Sequence, residues 1–325
     1  MENEEADNMV SLRGKWSSPV ILLVLLLLLI ALPAYGPSEY TIILMTNILM
    51  YVVLTLSWAI FSGPTGYISL APAAFFGVGV YASAILSSDL PLFIVAPIGG
   101  AASFVLAYLV GSLTLRLRGM YFTMFTFGLV ELVRNLLHWW EVNITGTVGR
   151  LIIAADNTTV FYAMVVTFLA VLLASYFIGS SKSGLALRSI GESEEAAAHS
   201  GVDVNRVKVV IFAVSAFFMG ATGATMSMRW TYIDPTLAFN IQYSFMPVLM
   251  AIFGGMGHLY APVAGATIFS LLEEILTTKF PYYYMLLFGL TMLVVILFMP
   301  HGLEGMIEKW RKRMKPGLRS DDGST

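Results

Sequence analysis

Apolar and polar positions fall in long blocks along this chain. Apolar runs cover residues 20–31, 41–61, 70–86, 92–115, 121–137, 160–177, 209–228, 243–253, 261–276 and 282–299. Most approach the roughly 20 residues a helix needs to cross a hydrocarbon core. The short alternating segments of a membrane β-barrel do not occur. The pattern predicts an all-α polytopic membrane protein of about ten transmembrane helices, some of them discontinuous. Run 20–31 has the texture of a signal-peptide core, with Leu32, Pro33 and Ala34 in the place of a cleavage site. The acidic residues ahead of it (Glu2, Glu4, Glu5 and Asp7) and the many later runs read instead as a retained first helix.

The polar intervals set the orientation. Residues 1–17 read as a cytoplasmic tail. Residues 306–325 follow as a second one, whose basic cluster (Lys309, Arg311, Lys312, Arg313, Lys315 and Arg319) belongs inside by the positive-inside rule. Arg116 and Arg118 mark a short inner turn. Residues 141–158, with Asn143, Gly146, Gly149, Asp156 and Asn157, fall outside, and both termini come out cytoplasmic. The longest polar interval, 180–208, carries Lys182, Arg188, Arg206 and Lys208 beside Glu192, Glu194, Glu195 and Asp203. Inside it a short helix is predicted. Ser193 is the N-cap, Glu194 and Glu195 fill the first turn, Ala196, Ala197 and Ala198 follow, and Gly201 is the stop. Its small residues suit close docking of another surface, while a plain solvated connection accounts for the charges equally well.

Two glycine-rich interruptions stand out. Gly63, Pro64, Gly66 and Ser69 break the chain between two closely spaced apolar runs, and Gly254, Gly255 and Gly257 follow the short run 243–253, which Pro247 interrupts. Irregular backbone at membrane depth persists only where protein or a water-filled cavity satisfies it. Both breaks are therefore candidates for lining a translocation path; a tight turn at the membrane surface is the simpler account of the first. The small residues along 70–86 predict close helix packing. Glu131 and Arg134, three apart, are placed to form an ion pair, at the pathway mouth or simply at the membrane edge. Segments 121–133 and 243–255 correspond loosely, as an internal repeat would.

Composition narrows the chemistry. The 325 residues are 58% hydrophobic and 12% charged, against roughly 25% charged in soluble domains. The formal net charge of −2 says little about partners. There is no cysteine, which excludes disulfides and thiolate chemistry. The four histidines are scattered, and phosphate-loop, HExxH and GxSxG motifs are missing, so neither a metal centre nor a catalytic site is expected. Buried acids suited to ion coupling are few: Glu131 and the Glu273/Glu274 pair. An energy source on another chain fits this better than a stand-alone secondary carrier does.

Four blocks of the sequence, in order, resemble the permease subunits of branched-chain amino acid ABC importers of the LivM type. They are GPTGYISLAPAAFFGVGVYASAIL (63–86), LRLRGMYFTMFTFGLVELVRNLL (115–137), GLALRSIGESEEAAAHSGVDVNRVKVVIFAVSAFFMGATGA (184–224) and FGGMGHLYAPVAGA (253–266). Within the third, Glu195-Ala196-Ala197 with Gly201 six positions after the glutamate is similar to the EAA…G loop by which importer permeases contact their ATPases. The chain departs from the family's usual pattern at Ala71-Pro72, Met120 and His258. The resemblance implies a transmembrane domain over residues 18–305 with a cytoplasmic coupling loop at 180–208. It implies a second homologous permease chain, two cytoplasmic ATPases that hold the ATP, and an extracytoplasmic binding protein, in a prokaryotic cell membrane and with no nucleic acid. An importer of urea, short amides or another small solute is the neighbouring reading.

Overall fold

The structure is a computed structural model. It describes residues 33, 36 and 38–290, apart from 88–89, 118, 153, 257–259 and 284–285. The expected first span (20–31), both polar tails, Gly257, His258 and most of run 282–299 lie outside the described residues.

The described chain is almost wholly helical. In order come α1 (Glu39–Thr65), α2 (Pro72–Leu86), α3 (Leu92–Thr114) and α4 (Met120–Trp140). A π-helical turn (Glu141–Thr145) and strand β1 (Arg150–Leu151) lead to α5 (Asn157–Ser180). The polar interval folds as α6 (Lys182–Glu192) and α7 (Glu194–His199). Then come α8 (Val204–Ser227), β2 (Tyr232–Ile233), α9 (Pro235–Ala238), α10 (Gln242–Gly254) and α11 (Tyr260–Lys279). β1 and β2 pair antiparallel, Arg150 opposite Ile233. Five stretches among the described residues are long and apolar enough to cross a membrane: α1, α3, α5, α8, and residues 235–254, which hold α9 and α10. The expected repeat does not emerge, since segment 121–133 lies in a 21-residue helix and segment 243–255 in a 13-residue one.

The core is glycine-mediated. α3 and α8 share the most extensive interface, and α2 packs on both. A Cβ on Gly79 would collide with the Gly220 carbonyl, and one on Gly220 with the Ser103 side chain. Removing side chains there lets the three backbones approach closely, the membrane substitute for a hydrophobic driving force between helices. Ser103 Oγ then donates to Phe75 O at 2.8 Å. Around Phe61, an aromatic cluster of Phe75, Phe122 and Phe212 joins α1, α2, α4 and α8. Three of these contacts are edge-on, an arrangement aromatic quadrupoles favour, and the Phe61–Phe122 pair is tilted.

Two sequence expectations shift. α1 does not stop at Gly63: it runs through Gly63 and Pro64 and ends at Gly66, whose φ of 70° gives the left-handed cap. In the last turn Pro64 deprives only one carbonyl of its donor, so the helix tolerates it. Pro247 likewise does not interrupt α10, which continues from Gln242 to Gly254.

Candidate functional site

The polar interval supplies the first half of the site. Ser181 Oγ accepts from Gly184 N at 3.3 Å and starts α6. That helix buries Gly184, Leu187 and Ile190, a three-residue spacing that faces one side toward the bundle. Ser193 Oγ accepts from Ala196 N at 3.3 Å and starts α7, as the sequence predicts. Gly201, at φ 84°, closes it, with Gly201 N donating to Ala198 O and Val202 N to Ala197 O. α7 turns Ala197 inward and leaves Glu195, Ala196, Ala198 and His199 exposed.

Glu194 faces inward, and there it meets the second half of the site. Its Oε1 accepts from Lys208 Nζ at 2.7 Å and from Tyr67 OH at 2.6 Å. Lys208, at the start of α8, is only 3% exposed. Its ammonium also donates to Leu115 O at 3.0 Å and to Tyr67 OH at 3.2 Å, and lies 4.6 Å from the centre of the Tyr67 ring. Every ammonium proton thus has an acceptor, the condition for keeping a lysine buried and charged. One carboxylate therefore ties α7 to the start of α8 and to Tyr67 in the break after α1, and Lys208 adds the turn after α3.

That break, residues 66–71, is held by side chains of its neighbours. Trp58 Nε1 donates to Ser69 O at 2.8 Å, so the chain doubles back beside α1 by about two helical turns, roughly 10 Å, before α2 begins. Thr123 Oγ1 donates to Ile68 O at 2.8 Å. Leu70 N donates to Thr126 Oγ1 at 2.9 Å, and Leu70 O accepts from Ser244 Oγ at 2.9 Å. Ser244 Oγ also accepts from Ala73 N at 3.0 Å. Side chains of α1, α4 and α10 thus replace the ladder a continuous helix would have, which is how broken backbone survives inside a bundle.

The structure brings the two glycine breaks and the polar interval together. Gly66, Tyr67, Met120, Ser193, Glu194 and Glu195 are among the residues lining a 680 Å³ cavity. Gly63 and Met256 line a neighbouring 380 Å³ cavity together with Gly184, Leu187 and Arg188. Gly191 lies so close to Pro64 that a Cβ there would strike the Pro64 carbonyl. Gly254 is packed on the α11 backbone at Ala261, and Gly255 takes φ 100° as α10 ends. Ser69 is buried, and its Oγ accepts from Ala71 N. Glu131 and Arg134 form their ion pair on α4, with each side chain about one-third exposed.

Sequence reasoning missed four participants. α6 was signalled by Ser181 and by the Gly184/Leu187/Ile190 spacing. Lys208 looked like one more charge of a polar loop. Glu141 was read as the edge of an outer loop, yet it is 1% exposed and binds Tyr81 OH (3.2 Å) and Gly149 N (3.0 Å) at the opposite end of the bundle. Arg229, just past α8 at that same end, is half-buried, and desolvation lowers its pKa. Among the described residues no group of His, Cys, Asp and Glu could hold a metal ion.

A multi-pass helical bundle with a polar two-helix segment braced against a broken span is the build of a membrane transport subunit. The chain belongs to the family described as branched-chain amino acid transport system / permease component, whose model matches residues 40–296; the members are membrane subunits rather than enzymes. It is 26% identical over 319 residues to the high-affinity branched-chain amino acid transport system permease protein LivM of Escherichia coli, covering 87% of this chain and 74% of that one. It is 27% identical to the corresponding LivH protein of the same organism over 145 residues, 44% of this chain and 46% of that one. The ribose import permease protein RbsC of Haemophilus influenzae is 28% identical over 131 residues, 38% of this chain and 41% of that one. No solved structure matches the chain.

Proposed function

We propose that this chain is the membrane-spanning permease subunit of an ATP-driven importer for branched-chain amino acids. Two cytoplasmic ATPases dock on α7 and its flanks, a second homologous permease chain completes the pathway, and an extracytoplasmic binding protein delivers the solute. Residues 18–305 form the permease domain. On this reading about ten crossings put both termini and residues 180–208 in the cytoplasm and the β1–β2 end outside. No cofactor is held in this chain; ATP belongs to the ATPases.

The observation that carries this reading is the two-sidedness of α7. Its outer face offers Glu195, Ala196 and Ala198 to a partner, while Glu194 on its inner face is bonded to Lys208 and Tyr67. A partner that moves α7 must therefore move the break or sever those bonds. Gly63, Gly66, Ser69, Gly254 and Gly255, with Gly257 from the sequence, are our candidates for lining the path that such movement would open or close. A solvated connection needs no buried anchor of this kind.

Uptake of labelled leucine into vesicles holding this chain with its neighbouring gene products is the test. ATP-dependent uptake that disappears without the ATPases supports the proposal. Uptake by this chain alone refutes it. The similarity to ribose and fructose import permeases supports a second reading, in which the same machine carries another small solute. Binding-protein-stimulated ATPase activity without leucine uptake would select it.

A further inference from the structure

At the end of the bundle opposite α7, a cavity of 340 Å³ opens between α1, the end of α8, α10 and α11. This is at the small end of the 300–1,000 Å³ typical of small-molecule sites. Its walls divide by chemistry. Leu44, Ile48 and Met50 are apolar, Tyr51, Trp230 and Tyr243 are aromatic, and Arg229, Glu273 and Glu274 are charged.

The charged groups are not spent on one another. Among the described residues no carboxylate lies within ion-pair distance of Arg229. Its Nη1 donates to Asn47 Oδ1 at 2.8 Å, and its Nε–H is buried with no partner. Ser270, 5% exposed and on the same wall, has a buried Oγ that is also unpartnered. Glu273 takes a hydrogen bond from Gln242 at 3.0 Å, and Glu274 one from Tyr40 at 2.6 Å. Buried polar groups are nearly always hydrogen-bonded, so two orphans on one cavity wall ask for a ligand.

Resting on the importer reading above, we propose that this cavity is a solute site for a zwitterion, an α-amino acid with an apolar side chain. Arg229 holds the carboxylate, with Ser270 beside it, Glu273 faces the ammonium, and Ile48 and Met50 take the side chain. A guanidinium suits a carboxylate geometrically as well as electrically. A neutral sugar or urea would leave both charges desolvated and unmatched. The site also has an outlet into the fold. The Tyr243 ring lies 4.4 Å from that of Phe76, and the next residue, Ser244, holds Leu70 of the break and Ala73 at the start of α2.

Trp230 makes the site readable. The full-length chain, solubilised without partners, is titrated with leucine, leucinamide and ribose to about 50 mM while tryptophan emission is followed, with Trp230→Phe identifying the signal. The expected result is a saturable leucine response that is weakened at least about tenfold in leucinamide, which lacks the carboxylate, and no response to ribose. Arg229→Gln should abolish the leucine-over-leucinamide preference. Arg229→Lys, which keeps the charge and loses the fork, should reduce that preference, and it carries the test if the Gln variant does not fold. Equal responses to leucine and leucinamide, a preference that survives in the variants, or no saturable signal overturns the site. ATP-driven leucine uptake alongside any of these would leave the importer reading standing. Correct binding without ATP-driven uptake would leave only the site.

Discussion

Exchanging Glu194 for Gln keeps the side chain's shape and removes the charge that Lys208 pairs with. The ammonium would retain Leu115 O and Tyr67 OH and lose its counter-ion, while staying 3% exposed. Breaking a buried pair from one side costs about 3–5 kcal/mol. The Glu194 side chain is 17% exposed, so water relieves part of the loss and about 3 kcal/mol is expected. Lys208→Met removes the buried charge itself and leaves a carboxylate that keeps Tyr67 OH and some water, for a loss of about 1–2 kcal/mol. In the double variant no buried charge is orphaned. Its loss should fall short of the sum of the single losses by at least about 1 kcal/mol. Denaturant unfolding in mixed micelles, followed by tryptophan emission, supplies all four free energies. Additivity within about 0.5 kcal/mol would mean the two residues do not act as one node, and the argument for α7 as an anchored element would fail.

Substitutions at three further positions separate the parts of the site. Gly191→Ala drives a Cβ into the Pro64 carbonyl; overpacking costs about 1–3 kcal/mol, and lifting α6 should quicken tryptic cleavage at Lys182 and Arg188. Gly201 has open space where a Cβ would go but φ 84°. Gly201→Ala should thus cost about 1 kcal/mol of backbone strain in the same unfolding assay and Gly201→Asn visibly less, with a bulky residue there also uncoupling ATP hydrolysis from uptake. Thr126→Val leaves Leu70 N–H unpaired, at about 1–3 kcal/mol, and hydrogen exchange at that amide should accelerate while α8 amides stay protected.

How much of this was legible depended on the range of the interactions involved. Span length is a local property, and the expected runs 41–61, 92–115, 160–177 and 209–228 each fall within a few residues of α1, α3, α5 and α8. Capping is local too, so Ser193 and Gly201 bracket α7 as read. The break was placed three residues early because glycine and proline mark a weak helix without saying which turn gives way; Gly66 alone adopts the left-handed cap. The roles of Lys208, Glu141 and Arg229 were illegible for a different reason. Each is decided by a partner far along the chain: Tyr67 for Lys208, Tyr81 for Glu141, Asn47 for Arg229. A polar residue at the end of an apolar run looks the same whether it reaches water or closes a buried network.

Where the bundle can yield follows from what is already satisfied. α2 and α8 meet backbone to backbone at Gly79 and Gly220, and the small Ser103 side chain of α3 sits on Gly220, so sliding one past another would meet hard contacts at once. They behave as one body. α8 is about 36 Å long by its rise; Lys208 sits at one end and Arg229 lies just past the other, so tilting it would disturb both sites together. The alternative is local. Leu70 is held by two hydroxyls, one from α4 and one from α10, and a hydroxyl can exchange one acceptor for another with little net loss when a replacement is near. The break thus has discrete partners to trade, the property a two-state element requires, whereas in the core the Ser103–Phe75 bond is wedged among close-packed backbones. A force on α7 would meet the break and the start of α8 at the same carboxylate oxygen, and Ser244 joins the break to Tyr243 one residue away.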